Sequence, residues 1–102
     1  MKIKTKSGFE CNINERRLHD WRYIKAAAKM NEAIKNQDES KAAEVLTFAV
    51  PFLLGEDGEA ALMSFIEDDD GVVDTVKLVA EYIEITQIAG EKAKKSQSSS
   101  SS

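Results

Sequence analysis

The chain is poor in the residues that most folds use for covalent or catalytic chemistry. Its 102 residues include one cysteine, Cys11, one histidine, His19, and one proline, Pro51. A single cysteine excludes an intrachain disulfide and fits a reducing compartment. One Cys and one His cannot make a zinc site of the usual kind. Any Ser-His-Asp or Cys-His arrangement would have to use His19, and nothing near it resembles a nucleophile elbow. Beside a helix start, His19 reads as a surface or capping residue. Cys11 alternates with Phe9 and Ile13, the pattern of a buried strand residue and not of a reactive thiol. Gly55 and Gly58 lack the spacing and the lysine of a phosphate loop. The acidic run Glu67–Asp70 fails as a calcium loop: with Gly71 at the sixth position, the first and twelfth would be Ile66 and Lys77, and neither ligates as required. The expectation is a non-enzyme with no catalytic, cofactor-binding or metal residues.

Long apolar runs are missing too. The longest uncharged stretch, Val45–Leu54, is far short of the roughly 20 apolar residues of a membrane-spanning helix, so membrane insertion is not expected. Met1–Lys6 alternates lysine with other residues and has no apolar run behind it, which predicts no secretory leader. What is present is ordinary for a globular protein: 42% hydrophobic and 31% charged residues, in a length that suits one domain of modest stability. The net charge of −4 hides an asymmetry. Residues 1–35 hold nine Lys/Arg against four Asp/Glu, and residues 36–102 hold five against fourteen. The plain reading is two solvated surfaces of opposite sign. The sharper one is head-to-tail self-association, the basic end of one copy meeting the acidic end of the next.

Along the chain, Lys2–Lys6 alternates with Ile3 and Thr5 on one side, Ser7-Gly8 signals a turn, and Phe9, Cys11 and Ile13 alternate against Glu10 and Asn12. This predicts a β-hairpin that must lie against a helix or extend a neighbour's sheet. Asn14 and Asp20 are both plausible N-caps for a helix running to about Lys35. Trp21, Ile24 and Ala28 form one stripe of it; Tyr23, Ala27, Met30 and Ile34 form an adjacent one. A second helix is expected over about Glu39–Leu54, with Ala42, Val45, Leu46, Ala49 and Leu53 on one face. Pro51 inside it predicts a kink or an early end, and Gly55 suits the C′ position. Asp57 can cap a third helix with Ala61, Leu62, Phe65 and Ile66 inward. Asp74 can cap the last, with Val73 packed on Leu78 as a staple, and Gly90 stops it. The expected fold is α+β, mostly α: an N-terminal hairpin and about four helices in a single domain over residues 1–90, with a disordered polar tail over 91–102.

The last helix has two apolar faces. At about 100° per residue, Val79, Ala80 and Ile83 fall within about 60° of Val76, while Leu78, Tyr82, Ile85 and Ala89 cluster about 180° to 240° round. Lys77, Glu81 and Glu84 occupy an arc between. One stripe suffices for a helix at the edge of a small domain. Either this helix is central and sandwiched by its own domain, or one stripe serves a partner. Leu78, Tyr82, Ile85 and Ala89 are the first candidate partner surface. Phe48, Phe52 and Leu54, off the inward face of the second helix, are the second.

The basic N-terminal third invites a competing reading. Arg16, Arg17, Arg22, Lys25 and Lys29, with Trp21 and Tyr23 among them, suit a small nucleic-acid-binding regulator. A pI near 5.0 argues against strong phosphate binding.

Several segments in order resemble the tail assembly chaperones of long-tailed bacteriophages: KIKTKSGFECNINE as that family's hairpin, RLHDWRYIKAAAKM as a helix entered through an Asp-Trp pair, then FLLGEDGEAAL and EDDDGVVDTVKLVAEYIEI as the later helices and their acidic-glycine joint. The likeness spans about residues 1–97 and carries no catalytic motif. It departs at Lys25, in a region where members often carry an acidic residue, and at Pro51. The resemblance implies a chaperone in the host cytoplasm that binds the tape measure protein, keeps it soluble, helps tail tube subunits gather round it, and needs no cofactor. It also implies, in many members, a second, longer form made by frameshifting.

Overall fold

The computed structural model describes residues 1–100, with side chains described through Lys95. Strands β1 (Lys2–Lys4) and β2 (Glu10–Asn12) pair antiparallel, with Ile3 opposite Cys11. Met1 extends the ladder: its ammonium donates to the Ile13 carbonyl at 2.9 Å, and the Ile13 amide donates back at 2.8 Å. The loop closes through the Thr5 amide on the Phe9 carbonyl, and Gly8 takes φ 102°, a left-handed conformation that favours glycine. The period of two buries Ile3, Thr5, Phe9 and Ile13 and half-buries Cys11, as the alternation predicts.

Both expected caps are used, each for its own element. The Asn14 side chain accepts from the Arg16 amide and opens a 3-10 turn over Glu15–His19. Asp20 accepts from the Arg22 amide at 2.8 Å and opens α1 (Trp21–Lys35). α1 ends in a Schellman turn: Gln37 takes φ 53°, its amide bonds the Ile34 carbonyl, and the Asp38 amide bonds that of Ala33. The Asp38 side chain then caps α2 (Glu39–Ile66) through the Lys41 amide.

α2 is two helical segments joined at Gly55, whose φ 76° and ψ 170° are not helical. Among the described residues the three α-helices thus fall into four α-helical segments, in line with the about four helices expected. Pro51 removes an amide and crowds the turn before it, yet the break falls four residues later. The conformation at the break is one that essentially only glycine adopts. After α2, the Asp68 carboxylate gathers the amides of Asp70 and Val72 into a tight joint, with Gly71 at φ 78°. Asp74 caps α3 (Thr75–Ser100) through the Lys77 amide at 3.0 Å.

Gly90 does not stop α3. Ala89 and Ala93, one turn apart, are both buried, and Lys92 Nζ reaches the Lys2 carbonyl at 2.6 Å, so packing against the hairpin carries the helix through. Of the tail expected over 91–102, residues 91–100 continue this helix, and residues 101–102 lie outside the described residues.

α1 packs on α2, α2 on α3, and the hairpin closes the core, with β1 against α3 and β2 against α2. Ile3, Ile13, Val50, Leu62 and Ile85 are its most completely buried large side chains. Each contributes about 1.5–3 kcal/mol relative to an exposed position. The expected inward face of the first α2 segment, Ala42, Val45, Leu46, Ala49 and Leu53, is buried throughout. The structure also decides between the two stripes of α1 and corrects the inward face of the second α2 segment. In α1 the buried residues are Ala26, Met30 and Ala33, while Trp21, Ile24, Ala28 and Ile34 face out. In the second α2 segment Leu62 is buried and Ile66 half-buried, but Ala61 and Phe65 are exposed, Phe65 keeping a tilted contact with Phe9 at 5.3 Å between ring centroids. A single small hairpin covers only part of that segment, so one side of it is left open.

Candidate partner-binding surface

The first candidate surface is core. Tyr82 is 3% exposed and Ile85 and Ala89 are 0% exposed, while Leu78 is half-buried against them. α3 lies between α2 and β1, and this stripe is the one that faces inward. Burial pushes the Tyr82 hydroxyl far above the ordinary tyrosine range, with Tyr23 nearby adding to the shift. The opposite stripe is the open one: Val76 is 62% exposed, Ala80 is exposed, and Val79 and Ile83 are half-buried.

The polar arc between the stripes has a role that periodicity does not reveal. Glu81 is buried and accepts from the Thr5 hydroxyl at 2.6 Å. The Glu84 carboxylate accepts from the Lys6 amide, and Lys92 donates to the Lys2 carbonyl. Three side chains of one helix thus bind the first arm of the hairpin: Glu84 and Lys92 take main-chain groups at Lys6 and Lys2, and Glu81 takes the Thr5 hydroxyl.

The second candidate surface survives in part. Phe48 is 38% exposed and stacks on half-buried Phe52, with centroids 5.0 Å apart and planes at 22°. The guanidinium carbons of Arg17 and Arg22 lie 4.8 and 5.1 Å from the Phe52 centroid, a cation–π arrangement. Leu54 is half-buried and packs on the core. Phe48 also lines a groove of about 430 Å³ between α1 and α2, whose charged walls are Arg22, Lys25, Lys29 and Lys41 against Glu44. Arg22 is held by Asp20, whose carboxyl is lowered first by the Arg22 side chain and then by its amide. Lys41 is held by Glu32 at 2.9 Å.

The most exposed apolar surface among the described residues lies outside both candidate partner surfaces, and Trp21 entered only the competing nucleic-acid reading. Trp21 is 71% and Ile24 47% exposed, and with Ala28 they form an outward stripe of α1. The stripe lies roughly a quarter to a third of a turn round the helix from the groove-lining lysines. Its signal was in the chain: α1 carries two adjacent apolar stripes, more than one packing partner needs. A smaller apolar groove, about 240 Å³, holds Ile34 and Val76 where the ends of α1, α2 and α3 meet.

Among the described residues no three His, Cys, Asp or Glu side chains sit close enough to hold a metal ion, and no helix is long and apolar enough to cross a membrane. His19 is exposed, and the half-buried Cys11 thiol is raised by desolvation. No protein-family model matches the chain, and neither the curated proteins nor the solved structures contain a match.

Proposed function

We propose that the chain is a non-catalytic protein-binding module of the tail assembly chaperone type, acting in the host cytoplasm. In this role it holds a phage tape measure protein in soluble form and helps tail tube subunits gather round it. One observation supports the reading above the others: α1 is anchored by Ala26, Met30 and Ala33 and turns Trp21 and Ile24 to solvent on a rigid helical scaffold. A largely helical client presents an apolar stripe of its own, and helix-on-helix docking takes its affinity from a few such anchors. Lys25 and Lys29 beside the stripe favour acidic flanks on the client.

The test is co-expression with a tape measure protein. The native chain keeps the client in the soluble fraction. Trp21→Asp with Ile24→Asp retains its helical circular dichroism and loses the client. A native chain that leaves the client insoluble overturns the reading; a double variant that still solubilises it overturns the surface assignment.

The exposure of Trp21 among Arg17, Arg22 and Lys25 also favours a second reading, a regulator that binds nucleic acid through stacking and phosphate contacts. A salt-dependent gel shift that Trp21→Ala and Lys25→Glu abolish would establish it.

A further inference from the structure

We propose that the groove between α1 and α2 receives the acidic joint between α2 and α3 of a second copy of this chain. The two surfaces are complementary in charge and in apolar content. Lys25 and Lys29 line the groove, both are exposed, and neither forms an ion pair with any carboxylate among the described residues. The exposed edge of the Phe48–Phe52 stack supplies the groove's apolar contact.

The joint is the opposite. Between Lys41 and Lys77 the chain has no Lys or Arg and nine Asp or Glu. Glu67, Asp69 and Asp70 are exposed and make no side-chain hydrogen bond to another residue among the described ones, whereas Asp68 and Asp74 are spent on holding the joint and capping α3. Val72, 53% exposed, sits at the joint as an apolar tip for the Phe48 ring. None of the ion pairs among the described residues joins groove to joint within one molecule.

Groove and joint are different patches, so the contact is heterologous: each copy offers one of each, and copies add head to tail, into a ring where the rotation closes and an open filament where it does not. The lysines and carboxylates are exposed, so the attraction is strongest at low ionic strength and screened by salt. The contact uses Lys25 and Lys29, which also flank the client surface proposed above, so it is read on the chain without a client.

Sedimentation velocity of the full chain tests it. The native protein forms oligomers that shift toward monomer between about 20 and about 500 mM salt. Lys25→Glu with Lys29→Glu, and separately Asp69→Lys with Asp70→Lys, each weaken association by about ten-fold or more. Mixing the two variants restores it, because the reversed groove meets the reversed joint. All four positions are exposed, and circular dichroism confirms that the variants fold. A native chain that stays monomeric at high concentration and low salt overturns the proposal. So does association that neither reversal weakens or that mixing fails to restore. Salt-sensitive binding of a DNA oligonucleotide, lost in the groove variant while no self-association is seen, assigns the groove to nucleic acid instead.

Discussion

The Thr5 hydroxyl and the Glu81 carboxylate meet at 2.6 Å inside the protein, 76 residues apart in sequence. The same hydroxyl oxygen accepts from the Phe9 amide at 3.1 Å, so a single threonine ties the hairpin turn to α3. Thr5→Val removes the donor to the buried Glu81 carboxyl and the acceptor of the Phe9 amide, which costs about 2–3 kcal/mol in denaturant titration. Replacing both partners, Thr5→Val with Glu81→Leu, costs less than Thr5→Val alone, because the carboxyl is no longer left buried without its donor, while the Phe9 amide loses its acceptor in both variants alike. A double variant no more stable than Thr5→Val would show that the pair does not act as a unit.

The inward stripe of α3 separates core from surface cleanly. Tyr82→Asp and Ile85→Asp each place a carboxylate where the native side chain is 3% or 0% exposed. Each costs more than about 3 kcal/mol, and together they exceed the margin of a small domain, so the far-ultraviolet signal and the cooperative transition are lost. On the other face, Val76→Asp changes stability by less than about 0.5 kcal/mol. If the Tyr82/Ile85 variant keeps a sharp melting transition, that stripe is not core in solution.

Tyr82 also makes stability depend on alkaline pH. Its folded-state pKa is raised above the ordinary tyrosine value of 10.0, first by burial and then by Tyr23. The folded state holds its proton where the unfolded state releases it, so the contribution is complete below pH 10.0 and falls as pH rises beyond. The native chain should lose stability steadily above that point. Tyr82→Phe should flatten the decline and leave neutral-pH stability nearly unchanged, which urea titrations at several pH values will read.

Three backbone positions predict changes of known sign. At Gly55, a Cβ meets nothing within 4 Å, but φ 76° and ψ 170° are strained for any side chain. Gly55→Ala therefore costs about 1–3 kcal/mol from the backbone alone. At Gly90 the space is equally open and the backbone is helical, so Gly90→Ala stabilises by about 0.5–1 kcal/mol. Gln37 holds φ 53° without being glycine, and Gln37→Gly relieves up to about 1 kcal/mol. Thermal melts of the three variants, one falling and two rising, check the set.

Much of the local structure was legible before any coordinates. The alternation of Ile3, Thr5, Phe9 and Ile13, the caps at Asn14, Asp20 and Asp74, and the break at Gly55 are short-range events. Each is settled by sterics and hydrogen bonds within a few residues, so the chain carries the whole signal. The continuation through Gly90 was not legible, because its cause is Lys92 meeting a hairpin residue 90 positions away in the chain, with Ala93 buried beside it.

The amino-acid order determined by itself that this protein is a hairpin followed by helical segments, that α1 and α3 each carry more apolar surface than one neighbour covers, and that its charge is divided between its two ends. Only the tertiary structure decided which surface was surplus: Tyr82 and Ile85 went inside, Trp21 and Val76 outside, and Glu81, from an arc that looks solvated, became a buried clasp for Thr5. Periodicity records that a face is apolar. What lies opposite that face depends on how the other elements dock, and no run of neighbouring residues encodes that alone.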